Sequence, residues 1–347
     1  MPETKVDYII VGLGIAGVWL SHELIKRNKS VLVIDQGIDA TSSKKAAGLY
    51  NPITGRKMIK TWRADDLFTQ LEEDYSELEK ITRQQFLFPK PIYRPFPSLE
   101  VQNDWYGKQQ EGGLDKYLQS VQTSSLNIHH INDPYGGILI ERSGYVDLPR
   151  LIGAYKNHLI DKGMYREELF DSTAMTTSTD HVDYKDLRAR KVIFCEGPNV
   201  SQLWSSLPFR PVRGELIDIA CDLPSNYVIN QGVFIIPKGD FFTVGSTYDH
   251  GLLTFEPQKS GVDDIERRLH KIFDGKYRIL DIRAGVRPST HDRRPYIGFH
   301  EKSRTLGIFN GFGTKGVSLT PYFARHFASV LEDNVELEKE VNVNRVN

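Results

Sequence analysis

Three glycines and an acidic residue near the start of the sequence have the spacing of a dinucleotide-binding turn. Gly12, Gly14 and Gly17 follow the apolar run 6–11, and Asp35 stands 18 residues after the last glycine. The first glycine permits a tight turn, the second lets a pyrophosphate approach the backbone, and the third lets a helix pack closely on a strand. An acid at this distance suits a free ribose hydroxyl. The pattern therefore predicts dinucleotide binding.

These residues must be positioned by a strand, a helix and a second strand. The run 6–11 predicts a buried parallel strand, residues 18–25 place apolar side chains on one helix face, and residues 30–34 predict the next strand. The helix would present free N–H groups and its positive dipole end to phosphates, at Ile15 and Ala16 beside the glycines. The order of strand, glycine turn, helix, second strand and acidic residue favours a Rossmann-like unit. The alternative is a glycine-rich turn in another α/β protein.

The choice between flavin and nicotinamide depends on later segments. Residues 41–52 are small and hydroxylated, so their backbone could pass close to a flat ring, whereas a simple dehydrogenase would continue with another helix and strand. This segment, the stretch 284–298 around Arg287 and the glycine-rich stretch 310–321 resemble the D-amino acid oxidase family, especially glycine oxidase and sarcosine oxidase. Residues 85–140 and 250–280 resemble it poorly.

The resemblance implies an α/β fold in which a Rossmann-like FAD/NAD(P)-binding domain is interleaved with an α+β substrate domain on a mostly antiparallel sheet. The FAD-binding domain would use residues 1–80, 145–212 and 283–347, and the substrate domain residues 81–144 and 213–282. Strand-like runs at 214–220, 233–237 and 241–245 support the second sheet, with a hairpin turn at 238–240. FAD would be held without a covalent bond, since neither C-terminal motif contains a cysteine.

The resemblance also assigns residues to the cofactor. The turn and the end of the second strand would hold the adenosine diphosphate half, and two glycine-containing segments would hold the flavin, with the helix at 317–331 directing its N-terminus at the ring. The complete predicted set is Gly12, Gly14, Ile15, Ala16, Gly17, Asp35, Gln36, Ser42, Ala46, Ala47, Gly48, Leu49, Phe170, Gly197, Gly313, Thr314, Lys315, Gly316, Val317 and Ser318.

Two cations are the predicted catalytic residues. In the family, an arginine at the place of Arg287 holds the substrate carboxylate, which its planar fork suits; the alternative is a structural arginine paired with an acid. Lys315 falls where sarcosine oxidase has a carboxylate-binding lysine, and the alternative is a cation that caps the helix. Phe234 replaces a tyrosine of glycine oxidase, and His291 is expected to be a solvent-facing loop residue.

These residues imply an FAD-dependent oxidoreductase that oxidises the C–N bond of a small amine or amino acid to an imine, with dioxygen or another electron acceptor. The segment 51–63 leaves a second hypothesis open. It carries cations, including Arg56 and Lys60, beside a tryptophan, and resembles the FAD domain of the bifunctional tRNA 5-methylaminomethyl-2-thiouridine enzyme. A basic helix start on the surface is the simpler interpretation, and a non-catalytic FAD-binding protein is the third hypothesis.

Composition excludes other classes. With 44 basic and 45 acidic residues among 347, the net charge of −1 makes nucleic acid binding unlikely. The two cysteines, Cys195 and Cys221, have no metal or disulfide spacing, so we expect buried thiols, no metal and a cytoplasmic location. The apolar run 8–20 is too short to cross a membrane. We expect an acidic helix over 65–81 and a poorly ordered tail from residue 332.

Overall fold

The computed structural model describes residues 4–55, 57–108 and 113–346. Its helices are α1 Ile15–Lys26, α2 Ser42–Lys45, α3 Ala64–Leu67, α4 Leu71–Thr82, α5 Leu99–Lys108, α6 Leu148–Asp161, α7 Lys259–Leu269 and α8 Gly316–Glu332. Its strands are β1 Thr4–Val11, β2 Val31–Asp35, β3 Leu49–Tyr50, β4 Ile53–Thr54, β5 Ile59–Lys60, β6 Leu87–Pro89, β7 Ile92–Pro95, β8 Leu118–Gln122, β9 Gly137–Ile140, β10 Gly144–Val146, β11 Tyr165–Glu167, β12 Met175–Thr177, β13 Val182–Tyr184, β14 Leu187–Phe194, β15 Val212–Cys221, β16 Val228–Gln231, β17 Val233–Pro237, β18 Phe242–Gly245, β19 Tyr277–Arg287, β20 Tyr296–His300 and β21 Ser303–Asn310.

The first large sheet is the predicted Rossmann-like sheet. Its strands run in the order β11, β2, β1, β14, β13 and β12, and β21 pairs with both β14 and β20. β1 is parallel to β2 and β14, as a doubly wound sheet requires. Ile9 and Ile10 of β1 are both fully buried, and since neighbouring side chains in a strand point to opposite faces, both faces of the sheet are covered.

The second large sheet has the order β19, β15, β18, β17, β16, β7, β9 and β8. Every pair in it is antiparallel except β16 with β7. The predicted strand runs appear as β15, β17 and β18, and β17 and β18 are joined through residues 238–241. The α/β fold class with a mostly antiparallel second sheet is confirmed, while the domain boundaries stay a prediction.

The acidic segment 65–81 forms two helices, so the prediction of one helix is wrong. α3 ends at Leu67 and α4 begins at Leu71. Between them, the Thr69 hydroxyl donates to the Asp65 carbonyl and Phe68 turns into the core. A hydroxyl that occupies a helical carbonyl competes with continuation of the helix.

The tail beyond residue 332 packs on the body, so the expectation of a poorly ordered tail is wrong. Val341 and Val343 are buried, and Asn342 between them bridges to Ile297 in β20. Val341 ends a turn and Val343 begins the short 3-10 helix Val343–Val346, so the bridge at Asn342 holds both valines against the core. The Arg345 guanidinium then donates to the Asp292 carboxylate at 2.9 and 3.1 Å.

Candidate functional site

A cavity of about 870 Å³ lies between the two large sheets, and both glycine-rich turns line it. The helices that follow these turns, α1 and α8, begin side by side: a methyl group on Gly316 would stand 3.3 Å from Ile15 Cγ2. The first turn of a helix leaves its N–H groups without intrahelical partners and carries a partial positive charge. Two such ends on one cavity make it suited to an anionic ligand.

Most residues of the predicted cofactor set line this cavity. They are Gly12, Gly14, Ile15, Ala16, Asp35, Gln36, Ser42, Ala46, Ala47, Gly48, Leu49, Phe170, Gly197, Gly313, Thr314, Lys315, Gly316 and Val317. Gly17 and Ser318 do not. A methyl group on Gly17 would stand 2.0 Å from the Gly12 oxygen, so Gly17 supports the turn from behind. The Ser318 hydroxyl donates to the Lys315 carbonyl at 3.3 Å inside α8.

The first turn is held by short contacts with its surroundings. Gly12 has a φ of 97°, and a methyl group on it would stand 2.7 Å from the Cys195 oxygen after β14. The Asp35 carboxylate accepts the Leu13 N–H at 2.7 Å and the Gly37 N–H at 2.8 Å while it lines the cavity. Asp35 therefore fixes the turn as well as presenting a charge.

Ser43 supports the start of α1 and was missed by the sequence reasoning. Its hydroxyl accepts the Ile15 N–H at 3.1 Å, and it lines the cavity beside Ser42. A serine pair at the start of a short helix was the only available signal, because Ser43 and Ile15 are 28 positions apart. The neighbouring Ser42 hydroxyl donates to the Val286 carbonyl in β19, which ties this loop to the second sheet.

The loop 46–49 exposes bare backbone to the cavity. Gly48 has a φ of 79°, and a methyl group on it would stand 1.8 Å from the Val146 oxygen. Lys238, which the sequence reasoning missed, donates from Nζ to the Ala47 carbonyl at 3.1 Å and lies 3.8 Å from the centre of the Tyr145 ring. Burial lowers the pKa of Lys238 to about 8. The loop is therefore fixed from behind, with its other side left for a flat ligand.

Arg287 lines the cavity with oxygen partners that are all neutral. Its guanidinium donates to the Ser246 hydroxyl at 2.8 Å, to the Thr247 carbonyl at 3.2 Å and to the Arg213 carbonyl at 3.4 Å. Within the described ranges it forms no ion pair, and the nearby Glu215 pairs instead with Arg213 at 2.6 Å. Burial lowers the pKa of Arg287. The alternative of a structural arginine paired with an acid does not fit this geometry.

Lys315 lies directly before α8 and also lines the cavity. It has no ion pair or side-chain hydrogen bond with any residue that the structure describes, and burial lowers the pKa of its amine to about 8. A cation that caps a helix is favourable at the C-terminus and unfavourable at the N-terminus, where Lys315 lies. Lys315 occupies the N-cap position of α8, but its side chain makes no capping hydrogen bond, so both interpretations of this residue stay predictions.

Of three further residues near the predicted site, Phe234 and Glu196 line the cavity and His291 does not. Phe234 lines the cavity, so the position of the missing tyrosine hydroxyl is occupied by an apolar ring. His291 is exposed, bonds to the Tyr296 hydroxyl at 3.0 Å and lies outside the cavity lining, as expected for a loop histidine. Glu196, which no motif indicated, lines the cavity, and burial raises its pKa to about 7.

In the basic segment 51–63, Ile53 and Thr54 pair as β4 with Ile59 and Lys60 as β5, so the interpretation of this segment as a helix start is wrong. Lys60 pairs with Asp65 at 2.7 Å, and Arg63 pairs with Asp66 at 2.8 Å and with Glu338. Arg56 lies outside the described residues. The charges of Lys60 and Arg63 are thus neutralised within the chain.

The sequence model of the DAO family, described as FAD dependent oxidoreductase, matches residues 7–330. The chain belongs to this family. As a DAO-family protein it is an FAD-dependent oxidoreductase, which confirms the predicted family, cofactor and enzyme class. In the part of the chain that the structure describes, none of the helices combines the length and the apolar character that crossing a bilayer requires.

The residues present fit the cofactor of the DAO family. FAD carries a pyrophosphate, a ribose and a flat ring, and the cavity offers two helix N-termini, the Asp35 carboxylate and the bare backbone of loop 46–49. Added methyl groups at Gly12 and Gly48 would collide with backbone atoms, so both the turn and the loop depend on glycine.

Similar proteins cover most of the chain at low identity. Glycine oxidase of Geobacillus kaustophilus is 24% identical over 94% of this chain and 93% of its own length. The bifunctional protein MnmC of tRNA 5-methylaminomethyl-2-thiouridine biosynthesis from Legionella pneumophila is 23% identical over 86% of this chain, which spans about half of that protein, 46%. The crystal structure of glycine oxidase from Geobacillus kaustophilus superposes with a TM-score of 0.78 at 22% identity, covering 96% of each chain. The structural likeness shows a shared fold.

Proposed function

We propose that this DAO-family enzyme oxidises the C–N bond of a small amine that carries a carboxylate, an amino acid in the simplest case. The observation that carries the proposal is the Arg287 guanidinium, which lines the cavity with neutral partners only. A cation withdrawn from water without a counter-charge is costly, and a substrate carboxylate would supply that charge through two parallel hydrogen bonds. The similarity to glycine oxidase agrees with such a substrate.

In this proposal the cofactor set divides between the two halves of FAD. The turn at Gly12 and Gly14 and the N-terminus of α1 would hold the pyrophosphate, and Asp35 would bind the ribose. The loop 46–49 and the N-terminus of α8 would hold the flavin. Bound FAD supplies a two-electron acceptor for hydride. The positive end of α8 stabilises the negative charge that develops at the acceptor.

Arg287 orients the substrate. By holding the carboxylate it restricts the Cα–H bond to one direction, and this loss of freedom before the chemical step is what accelerates transfer. With FAD bound as the acceptor of the hydride, the C–N bond of the oriented amine would be oxidised to an imine, which water would then hydrolyse. A neutral amine needs no side-chain base, which agrees with the position of His291 outside the cavity.

An anaerobic screen tests the proposal. The flavin absorbance of the holoenzyme should bleach with at least one of glycine, sarcosine, proline and D-amino acids. Dimethylamine, which is sarcosine without its carboxylate, should not bleach it. Admission of air then separates dioxygen from another electron acceptor by the rate of reoxidation. A flavin that dithionite reduces but no amine reduces would instead indicate a non-catalytic FAD-binding protein.

Action on a modified tRNA nucleoside is the second candidate, favoured by the similarity to MnmC proteins over 86% of this chain. The pairing of Lys60 and Arg63 with acids removes part of the charge on which it depends. RNA binding whose affinity falls steeply with salt would support this candidate, because phosphate contacts release counterions.

Lys315 predicts the pH dependence of carboxylate binding. Its pKa of about 8 in the free enzyme means that the amine is charged below this pH and neutral above it. A bound carboxylate favours the charged form, so affinity for an unreactive carboxylate such as acetate should be full below pH 8 and fall as pH rises through it. Titration of the flavin spectrum measures this affinity. Lys315→Met should lower affinity at pH 7 by roughly tenfold or more, the value of one charge-assisted bond.

The exposed Lys276 provides the control for this prediction. Lys276→Met removes one positive charge without altering the cavity, so the dependence of affinity on pH should stay as in the parent enzyme. If Lys315→Met retained the same fall in affinity near pH 8, another group would be responsible and Lys315 would have no role in substrate binding.

A further inference from the structure

Arg94 is a further cation that lines the cavity, after Arg287 and Lys315, and it has no counter-charge among the described residues. It lies in β7, and its guanidinium donates to the Gly55 carbonyl at 2.6 Å. Across the described part of the chain it has no ion pair and no other side-chain hydrogen bond, although an arginine has five N–H donors. Burial lowers its pKa to about 10, so it keeps its charge at neutral pH. Most of its donors are therefore left for a ligand.

Asn51 provides an independent indication at the same wall of the cavity. Its side chain is 4% exposed, and its Oδ1 accepts the Ile53 N–H at 2.9 Å. Its Nδ2 is buried and finds no hydrogen-bond partner among the described residues. An unmade hydrogen bond of a buried donor costs about 1–3 kcal/mol, so a small rotation of the Asn51 amide towards an acceptor atom of a ligand in the cavity would be favourable. The hairpin that accepts the Arg94 bond begins two residues after Asn51.

The strand spacing of the second sheet gives the approximate distance between Arg94 and the position of Arg287. A row of neighbouring positions crosses three strand steps, about 14 Å between the backbones at the usual strand spacing. Gly245, Phe234 and Asn230 are directly paired in this row, and Arg94 is the position after the pair of Ile229 with Tyr93. All four residues line the cavity. Ser246, which holds Arg287, follows directly after Gly245. One carboxylate cannot occupy both positions, whereas two acidic groups on one molecule can.

Charge is segregated along the cavity. The acidic residues that line it all belong to the Rossmann-like sheet or directly follow its strands: Asp35 ends β2, Glu168 follows β11, and Glu196 comes two residues after β14. The sheet that carries Arg94 and Arg287 contributes no acidic residue to the lining. A substrate bound at that sheet meets two cations and no carboxylate, which favours a molecule with more than one negative group.

We infer that Arg94 and Asn51 form a second anion-binding subsite, which holds an acidic group at the far end of the substrate from the carboxylate held by Arg287. The inference rests on the proposed function and narrows it to amines that carry an additional carboxylate or phosphonate. Arg94 binds the distal acidic group through its free guanidinium donors, and Asn51 Nδ2 donates the hydrogen bond that it lacks in the free protein. Phe234 and Asn230 lie under the chain that joins the two acidic groups.

A matched pair of substrates tests the inference. N-butylglycine and N-(carboxypropyl)glycine differ only in the end group, a methyl against a carboxylate. Arg94→Gln should lower kcat/KM for flavin reduction by the second at least about tenfold, because a charge-assisted hydrogen bond is lost, and should leave the first within about twofold. Arg94→Lys, which keeps the charge, should recover part of the loss. Arg278→Gln removes a charge from the exposed part of β19 and should alter neither substrate.

A binding measurement with unreactive acids tests the subsite independently of the proposed reaction. Calorimetry with pimelate and heptanoate, which match the two substrates in chain length and end group, should show tighter binding of pimelate to the holoenzyme, and Arg94→Gln should abolish that preference. If no amine reduced the flavin but this result held, the proposed reaction would fail and the subsite would stand. An equal loss for both substrates, no loss for either, or an Arg94 effect confined to binding of an RNA oligonucleotide would overturn the subsite.

Discussion

Replacement of Arg287 by glutamine should lower kcat/KM for carboxylate-bearing amines by roughly 10²–10³-fold, as expected when one partner of a buried charged pair is removed. The guanidinium is already fixed by the Ser246 hydroxyl and the Thr247 carbonyl, so it meets the substrate without further ordering. Stopped-flow reduction of the flavin by sarcosine measures the loss directly. Most of it should appear in kcat, because a misplaced Cα–H bond reacts slowly even when the amine is bound.

Two further variants separate the charge of Arg287 from its position. Arg287→Lys keeps the charge but loses the planar fork, so activity should lie between those of the parent and the glutamine variant. Gly214→Ala keeps the arginine but places a methyl group 2.4 Å from its Nη2, so the guanidinium must move. We expect Gly214→Ala to impair carboxylate substrates as well. Unchanged turnover of sarcosine in Arg287→Gln would refute the assignment of the substrate carboxylate.

The sequence was sufficient for the parts of the site that follow local rules. The glycine turn, α1 and the acid at the end of β2 depend on spacing within one βαβ unit, and the structure has them where the spacing predicted. The C-terminal glycines were recognised because their motif is contiguous. The family resemblance predicted that these glycines lie near Ile15, some 300 positions earlier in the sequence. The contact between Ile15 and Gly316 agrees with this prediction.

The residues that were missed depend on contacts between distant segments. Arg94 lies in the stretch 85–140, which resembles the family poorly, and it faces the cavity because β7 pairs with β16 from beyond residue 227. Lys238 reaches the loop 46–49 from the turn that joins β17 to β18. Such pairings leave no periodic signal in the sequence, since a cation in a strand looks the same whether it faces water or a cavity.

The errors in secondary structure have the same origin. The cations of the segment 51–63 suggested a surface helix, but β4 pairs locally with β5, and Arg63 is held by an ion pair with the distant Glu338. The polar composition of the tail suggested disorder, whereas two alternating valines, Val341 and Val343, were enough to fix it on β20. Local composition was outweighed in both cases by a few long-range contacts.

Replacement of Gly17 by alanine should yield protein that is purified with little FAD. The added methyl group would stand 2.0 Å from the Gly12 oxygen and 3.7 Å from Ile10 Cγ2, so the turn and α1 must separate. Overpacking of this kind costs about 1–3 kcal/mol. Because the clash falls on the turn that receives the pyrophosphate, we expect most of this cost in the dissociation constant of FAD, which should rise roughly 5- to 150-fold.

Gly153 provides the matched control, since it lies in α6 and a methyl group on it would have no heavy atom within 4 Å. Gly153→Ala should keep the flavin content of the parent enzyme and raise the free energy of unfolding slightly, by about 1 kcal/mol at most, because alanine favours a helix. Fluorescence titration of the deflavinated proteins with FAD compares the two variants, and their circular dichroism shows whether both are folded. A folded Gly17→Ala protein with the affinity of the parent would mean that the turn tolerates displacement. The close packing of α1 on the turn would then contribute nothing to cofactor binding.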